Sequence, residues 1–235
     1  MTRDHVLLCT DTFIDQHRAR LRSVAPSVEL VELTDDPIPP AQLDRVTMAF
    51  MSKDTWPRRA QAFLTASKSA PKLHWLHVMA AGVEGPTFDA FRARGVLVTR
   101  TPGASASAIA ETVFMYLHSL TRDVRGLNAM YRDRIWEWNE WRQLEGRSIT
   151  VLGYGPIGKR IVHLAMAYDM IPTIVRRSVA GDEACTAVGV EALAETVAHA
   201  DVVVVALPLT AETAGLMSAD IIGAMKSDAI IVNVA

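Results

Sequence analysis

Cysteine is nearly missing from this chain: Cys9 and Cys185 are the only two in 235 residues, and they form no CxxC or Cys/His spacing. That excludes a disulfide framework and the common zinc motifs. No apolar run reaches the roughly 18 residues of a membrane span. The N-terminus MTRDHVLLCT enters a strand pattern without the apolar stretch and cleavage site of a signal peptide. A reduced, cytoplasmic protein with no membrane partner is expected. Net charge is also scarce, since 24 Lys and Arg against 26 Asp and Glu leave −2, so no nucleic acid is expected as a partner. Repeats and low-complexity tracts are absent. The seven histidines have neither metal-ligand spacing nor Ser/Asp partners, and Ser105 and Ser107 sit in no G-x-S-x-G elbow. Neither a metal centre nor a hydrolase triad is expected.

What the chain has is alternation. Short β-branched apolar runs near 5–10, 28–33, 47–51, 73–79 and 96–99 are separated by amphipathic stretches such as FIDQHRARLRSVAP and WPRRAQAFLTASKSAP, the pattern of an open parallel sheet covered by helices. At Thr101-Pro102-Gly103 the chain turns into SASAIAETVFMYLHSLTRDVRGLNAMYRD, long enough to bridge two domains as one helix, and the boundary is placed there. After IWEWNEWRQLEG the alternation restarts, with strands near 148–152, 172–176, 201–207 and 229–234. Helices are expected between them, near 156–168, 190–199 and 219–225. The expected fold is α/β, with two doubly wound parallel-sheet domains. These are a flavodoxin-like substrate domain over 1–102 and a Rossmann dinucleotide-binding domain over 103–235, the latter incomplete because such a domain normally has about six strands. Trp136, Trp138 and Trp141 read as packing between domains. Trp56, following the third strand, is a candidate wall of a substrate pocket.

The stretch SITVLGYGPIGKRIV carries Gly153, Gly155 and Gly158 in G-x-G-x-x-G spacing, after a strand pattern and into a helical one. Gly153 permits a tight turn, Gly155 lets backbone approach a pyrophosphate, and Gly158 lets helix pack closely on strand. The helix N-terminus then offers free amides and the positive end of its dipole to the anion. Tyr154, Pro156 and Ile157 complete the cofactor-binding turn. About twenty residues on, where an NAD site usually carries an acid, the segment PTIVRRS instead gives Arg176, Arg177 and Ser178. Two guanidiniums and a hydroxyl suit a ribose 2′-phosphate that a carboxylate would repel, at about 1.5 to 3 kcal/mol per charged hydrogen bond. NADP(H) is therefore the expected cofactor, with NAD(H) the alternative.

Four segments resemble the D-isomer-specific 2-hydroxyacid dehydrogenase family, which includes glyoxylate and hydroxypyruvate reductases: VMAAGVEG (78–85), VTRTPGASASAIAET (98–112), LEGRSITVLGYGPIGKRI (144–161) and ADVVVVALPLTAETAGLMSADIIGAMKSDAIIVNVA (200–235). The resemblance implies an oxidoreductase acting on a small 2-keto or 2-hydroxy acid, as a homodimer. It implies that the amides of Ala81, Gly82 and Val83 receive the substrate carboxylate, a turn that is also a plausible anion nest by its own chemistry. It further implies that Thr112 contacts the cofactor, that Leu207, Pro208 and Thr213 line its trough, and that Val234 and Ala235 lie near the nicotinamide. Arg100, Asp169 and Glu84 depart from the family's usual Asn, Gly and Asp. In the family, N-V-A is followed by a substrate-binding arginine and later by a Glu and a catalytic His, none of which is in this chain. A C-terminally truncated chain without turnover of its own is therefore expected, with no catalytic residue among those present. The competing reading is a dinucleotide-binding sensor or scaffold of the corepressor kind.

Overall fold

The computed structural model of the protein describes residues 5–79, 82, 83 and 85–235. The chain divides into two compact units, Met1–Pro102 and Gly103–Ala235. The first runs β1 (Val6–Thr10), α1 (Asp11–Val24), β2 (Glu29–Leu33), α2 (Pro40–Leu43), β3 (Met48–Met51), α3 (Ala60–Ser69), β4 (Trp75–Val78), α4 (Pro86–Ala93) and β5 (Leu97–Arg100). Its five strands are parallel, in the order β2-β1-β3-β4-β5. Side chains alternate across this sheet as the pleat requires. Val6 and Leu8 join one core with Phe63, Leu76 and Phe91, while Leu7 and Cys9 join another with Ile14. Helix α1 starts where it does because Thr10 caps it, accepting from the Phe13 amide at 3.2 Å, with Asp11 in its first turn.

The second unit runs α5 (Ala106–Thr121), α6 (Val124–Asp133), β6 (Ser148–Leu152), α7 (Pro156–Ala167), β7 (Ile171–Val175), β8 (Thr186–Val188), α8 (Leu193–Ala198), β9 (Val202–Val205), α9 (Ala219–Ala224) and β10 (Ile230–Asn233). Its five strands are also parallel, in the order β10-β9-β6-β7-β8. Helices cover both faces, so the strands read as continuous apolar runs. Ile149, Val151, Val202 and Val204 pack on one face, and Leu152, Val175 and Val203 on the other. Helix α5 packs against α7.

Two doubly wound parallel sheets thus form, as the alternation predicts, but two local expectations are corrected. The single long helix breaks at Asp123, which adopts φ +45° and accepts from the Gly126 amide at 3.1 Å, so α6 begins as a newly capped helix. A side chain that satisfies a helix-start amide competes with helix continuation, and here it wins. Strand β8, three residues long, was not anticipated, because a run that short shows no alternation. In each sheet the strand order reverses beside the first strand, between β1 and β3 and between β6 and β9, the place where open α/β sheets receive ligands at their carboxyl ends.

Candidate functional site

Strand β6 delivers the glycine turn. Gly153 has φ +100°, and a Cβ there would lie 2.8 Å from the Ala206 carbonyl oxygen, so both conformation and space demand glycine. A Cβ on Gly158 would lie 2.1 Å from the Gly153 carbonyl oxygen, which is the close approach of helix to strand that the motif requires. Gly155 differs: a Cβ there meets nothing within 4 Å. Gly155 is also the N-cap of α7, with no side-chain cap and no acidic residue in the first turn, and Pro156 occupies the helix start. The start of this helix, facing open space, has the chemistry for an anion. A dinucleotide's pyrophosphate fits these residues, since the space a side chain would fill is vacant beside an uncapped helix. Ile157 and Tyr154 pack against the core below the turn.

The segments after β9 and β10 reach the same edge of the sheet. Ala206 donates to the Leu152 carbonyl at 2.9 Å, and Leu207 lies against Gly153. Thr213 closes the following turn on itself, donating to the Pro208 carbonyl at 2.5 Å and accepting from the Thr210 amide at 2.8 Å. Val234 donates its amide to Val205 at 3.0 Å and packs on the core with Tyr154, while Ala235 donates to Asn233 Oδ1 at 3.0 Å. Thr112 is exposed on α5, and its hydroxyl donates to Ala108 in its own helix at 2.8 Å.

At the end of β7 the expected phosphate clamp takes another form. Arg176 is not presented as a free guanidinium: its Nη1 donates to Asp182 Oδ1 at 3.0 Å and to Glu183 Oε1 at 2.6 Å. Arg177 and Ser178 are exposed, and the charge of Arg177 lowers the pKa of Glu212, secondary to a hydrogen bond with Thr210. The Ala180 amide above all, then the Glu183 amide, Arg176 and the Gly181 amide, hold the Glu183 carboxyl at about 2 against burial. Asp182, Glu183 and Lys159, whose Nζ is 3.7 Å from Asp182 and 5.0 Å from the Tyr154 ring centroid, were missed by sequence reasoning. An acidic pair following two arginines was the available signal.

In the first unit, Ala81 lies outside the described residues. Gly82 is exposed, whereas Val83 is buried in the core and its carbonyl accepts from Arg92 Nη2 at 2.8 Å. His77 is held between two hydroxyls, Nδ1 to Thr99 Oγ1 at 2.9 Å and Nε2 to Thr101 Oγ1 at 2.8 Å, and stacks on Phe50 at 5.1 Å. Burial lowers its pKa, which favours the neutral ring. Trp56 stands 72 % exposed beyond β3. Trp136 and Trp138, expected to pack between domains, are 99 % and 91 % exposed. Among the described residues no group of three His, Cys, Asp or Glu is placed to hold a metal, and no helix is long and apolar enough to cross a membrane.

Comparison with known proteins bears on the same segments. Residues 114–235 match the family profile described as D-isomer specific 2-hydroxyacid dehydrogenase, NAD binding domain. The chain is 30 % identical over 176 residues to D-3-phosphoglycerate dehydrogenase of Mycobacterium tuberculosis (strain ATCC 25618 / H37Rv), covering 71 % of this chain and 32 % of that protein. It is 29 % identical over 182 residues to glyoxylate reductase of Pyrococcus furiosus, covering 72 % and 53 %. The chain thus spans about a third to a half of the length of these relatives. Among solved structures, a D-isomer specific 2-hydroxyacid dehydrogenase family protein from Aeromonas salmonicida superposes with a TM-score of 0.82 at 26 % identity, over 99 % of this chain and 73 % of that one.

Proposed function

This chain belongs to the D-isomer-specific 2-hydroxyacid dehydrogenase family, and from that premise we propose that it binds NADP(H), in preference to NAD(H), and a small 2-keto or 2-hydroxy acid such as glyoxylate or hydroxypyruvate. The observation that carries the reading is the open space over Gly155 beside the uncapped start of α7, within the segment that matches the family's cofactor domain. When bound, the nicotinamide supplies or takes up the hydride. The chain's own residues bind and orient: the 153–158 turn takes the pyrophosphate, Leu207, Pro208 and Thr213 wall the trough, and Val234 and Ala235 border its inner end. Thr112 contributes from α5. Arg177 and Ser178 supply the preference for a 2′-phosphate, with Arg176 in the restrained role its ion pairs dictate. Residues 1–102 take the substrate domain's part, with the amides of Ala81, Gly82 and Val83 receiving the carboxylate.

Proton donation and polarisation of the carbonyl are assigned to none of the residues 1–235. General acid catalysis typically contributes about 10² to 10⁴-fold, so the 235-residue polypeptide is expected to bind cofactor and to leave glyoxylate essentially unreduced. Titration with NADPH and NADH by fluorescence, alongside an assay with glyoxylate and hydroxypyruvate, tests both halves. Equal affinity for the two cofactors ends the NADP(H) preference. Binding of neither ends the cofactor reading. Robust turnover ends the expectation that these residues lack a proton donor.

We also infer that the protein is a cytoplasmic homodimer that associates through the aromatic surface of residues 127–141. Trp136, Trp138 and Tyr131 are exposed there with Ile135 beside them, and aromatic patches of this kind mark interaction surfaces. Sedimentation of the protein and of a Trp136→Ser, Trp138→Ser variant checks it: a dimer that becomes a monomer is expected.

A further inference from the structure

The turn after β7 is built around one carboxylate. The Glu183 side chain is only 3 % exposed, although it lies in a loop whose neighbours are largely open to solvent. Both of its oxygens are used. Oε1 accepts from Arg176 Nη1 at 2.6 Å and from the Ala180 amide at 3.0 Å, and Oε2 accepts from the Gly181 amide at 2.8 Å. Gly181, at φ +79°, allows the chain to fold back over its own carboxylate. Asp182 adds a second carboxylate to the same guanidinium nitrogen.

This turn is tied to the glycine motif. The Ala184 amide donates to the Tyr154 hydroxyl at 3.1 Å, and Tyr154 stands between Gly153 and Gly155. The Arg176 guanidinium lies 5.8 Å from the centroid of the same ring. Arg176 is therefore fixed from two sides, by the aromatic ring and by Glu183. Its positive charge is largely matched, because Lys159, Arg176 and Arg177 are balanced locally by Asp182, Glu183 and Glu212.

A sequence that places Arg176, Arg177 and Ser178 at this strand end reads as a strong phosphate clamp. The geometry reads differently, since a carboxylate already on the guanidinium repels an arriving phosphate dianion. We propose that Glu183 is a specificity-determining positioning residue: it holds Arg176 on the 180–184 turn, offsets its charge, and so keeps the preference for a ribose 2′-phosphate over a 2′-hydroxyl small. The proposal rests on the reading that the glycine turn binds a nicotinamide dinucleotide.

The test is Glu183→Gln in the full chain. Glutamine keeps an oxygen for one of the two turn amides, sets its NH2 against the other, and removes the charge. Dissociation constants for NADPH and NADH are measured by calorimetry at low ionic strength for the wild type, Glu183→Gln, Arg176→Ala and the double variant. Releasing the Arg176 guanidinium from one of its two carboxylates, so that it can donate a charged hydrogen bond to the 2′-phosphate, is expected to raise the NADPH:NADH affinity ratio about tenfold. NADH affinity should stay within about twofold of wild type, as for independent sites. The gain should disappear when Arg176 is already alanine, and should shrink in high salt.

An unchanged or lowered ratio overturns the proposal, as does an equal gain in the Arg176→Ala background. Loss of NADH binding in Glu183→Gln overturns it as well, because Glu183 is then a scaffold for the whole turn. A wild type that binds neither cofactor removes the underlying reading and this proposal with it. A wild type that binds both, with no response to Glu183→Gln, removes only the proposal.

Discussion

The two units place a strand, a turn and a helix at the same point of two parallel sheets and finish the helix start in opposite ways. In the first, Thr10 caps α1 with its own hydroxyl, Asp11 sits in the first turn, and Arg59 Nη1 pairs with Asp11 at 2.5 Å. Every partner for the helix dipole comes from the chain. In the second, Gly155 supplies no side chain, the first turn of α7 holds no acid, and the space above is open. Both sheets are doubly wound, so fold alone does not make a dinucleotide site. The difference is that the sequence fills the anion position itself in the first unit and leaves it open in the second.

The largest effects separate the two kinds of glycine in that turn. Gly155→Val is expected to lower affinity for either cofactor by about a hundredfold or more, through loss of charge-assisted contacts to the pyrophosphate. Its stability in urea should be nearly unchanged, because its Cβ meets open space. Gly158→Ala should do the reverse first. With its Cβ 2.1 Å from the Gly153 oxygen, it should lose about 2 to 3 kcal/mol of unfolding free energy, as overpacking does. If Gly155→Val destabilises as much as Gly158→Ala, the turn serves packing only.

Acid sharpens the comparison by showing where each unit keeps its restrained carboxylate. In the first unit Asp11 lies at the carboxyl end of the sheet, its pKa lowered because hydrogen bonds to Arg59 and the Thr12 amide outweigh burial. In the second, Asp201 lies at the opposite end, accepting from the Ser148 amide at 2.8 Å and from Lys226 at 2.9 Å. Burial pushes Asp201 up, but Lys226 and Ser148 outweigh it and hold it at about 2, below its ordinary 3.8. A depressed carboxyl contributes stability above its unfolded pKa and loses it as pH falls through the folded value. Stability should therefore decline between pH 3.8 and about 2, and Asp201→Asn should flatten that decline in acid titrations followed by circular dichroism.

Thr10→Ala should cost about 1 to 2 kcal/mol, from the lost cap and from the lost contact of its buried hydroxyl with Ser52. It should leave cofactor affinity untouched; a change there would mean that the two helix starts are not independent. The smallest effect expected is a gain. Asp169 follows α7 at φ +54°, so Asp169→Gly should stabilise by about 0.5 to 1 kcal/mol in thermal or urea melts.

Asp169 also shows how far the sequence could be read. Its departure from the glycine common at that place was visible, and the left-handed backbone there gives the physical reason for glycine. Most strands and the glycine turn were legible because each is written in local spacing, as with the buried run of β6 into Gly153. The break at Asp123 was not, since the stretch around it keeps a helical apolar pattern and the outcome rests on one side chain reaching the Gly126 amide. Strand β8 escaped because its three residues acquire strand character only by pairing with β7.

By itself the sequence determined most of the order of strands and helices, the two α/β units and the glycine turn proposed to receive an anion. These follow from side-chain periodicity and from the sterics of residues that lack a Cβ, both short-range properties. Only the tertiary structure decided that Arg176 answers to Glu183 and Asp182, that Tyr154 ties the glycine turn to residue 184, and that Trp136 and Trp138 stand in solvent. Those outcomes depend on which distant or folded-back segments converge, and the net charge felt at a guanidinium is set by its neighbours in space, which composition and spacing do not specify.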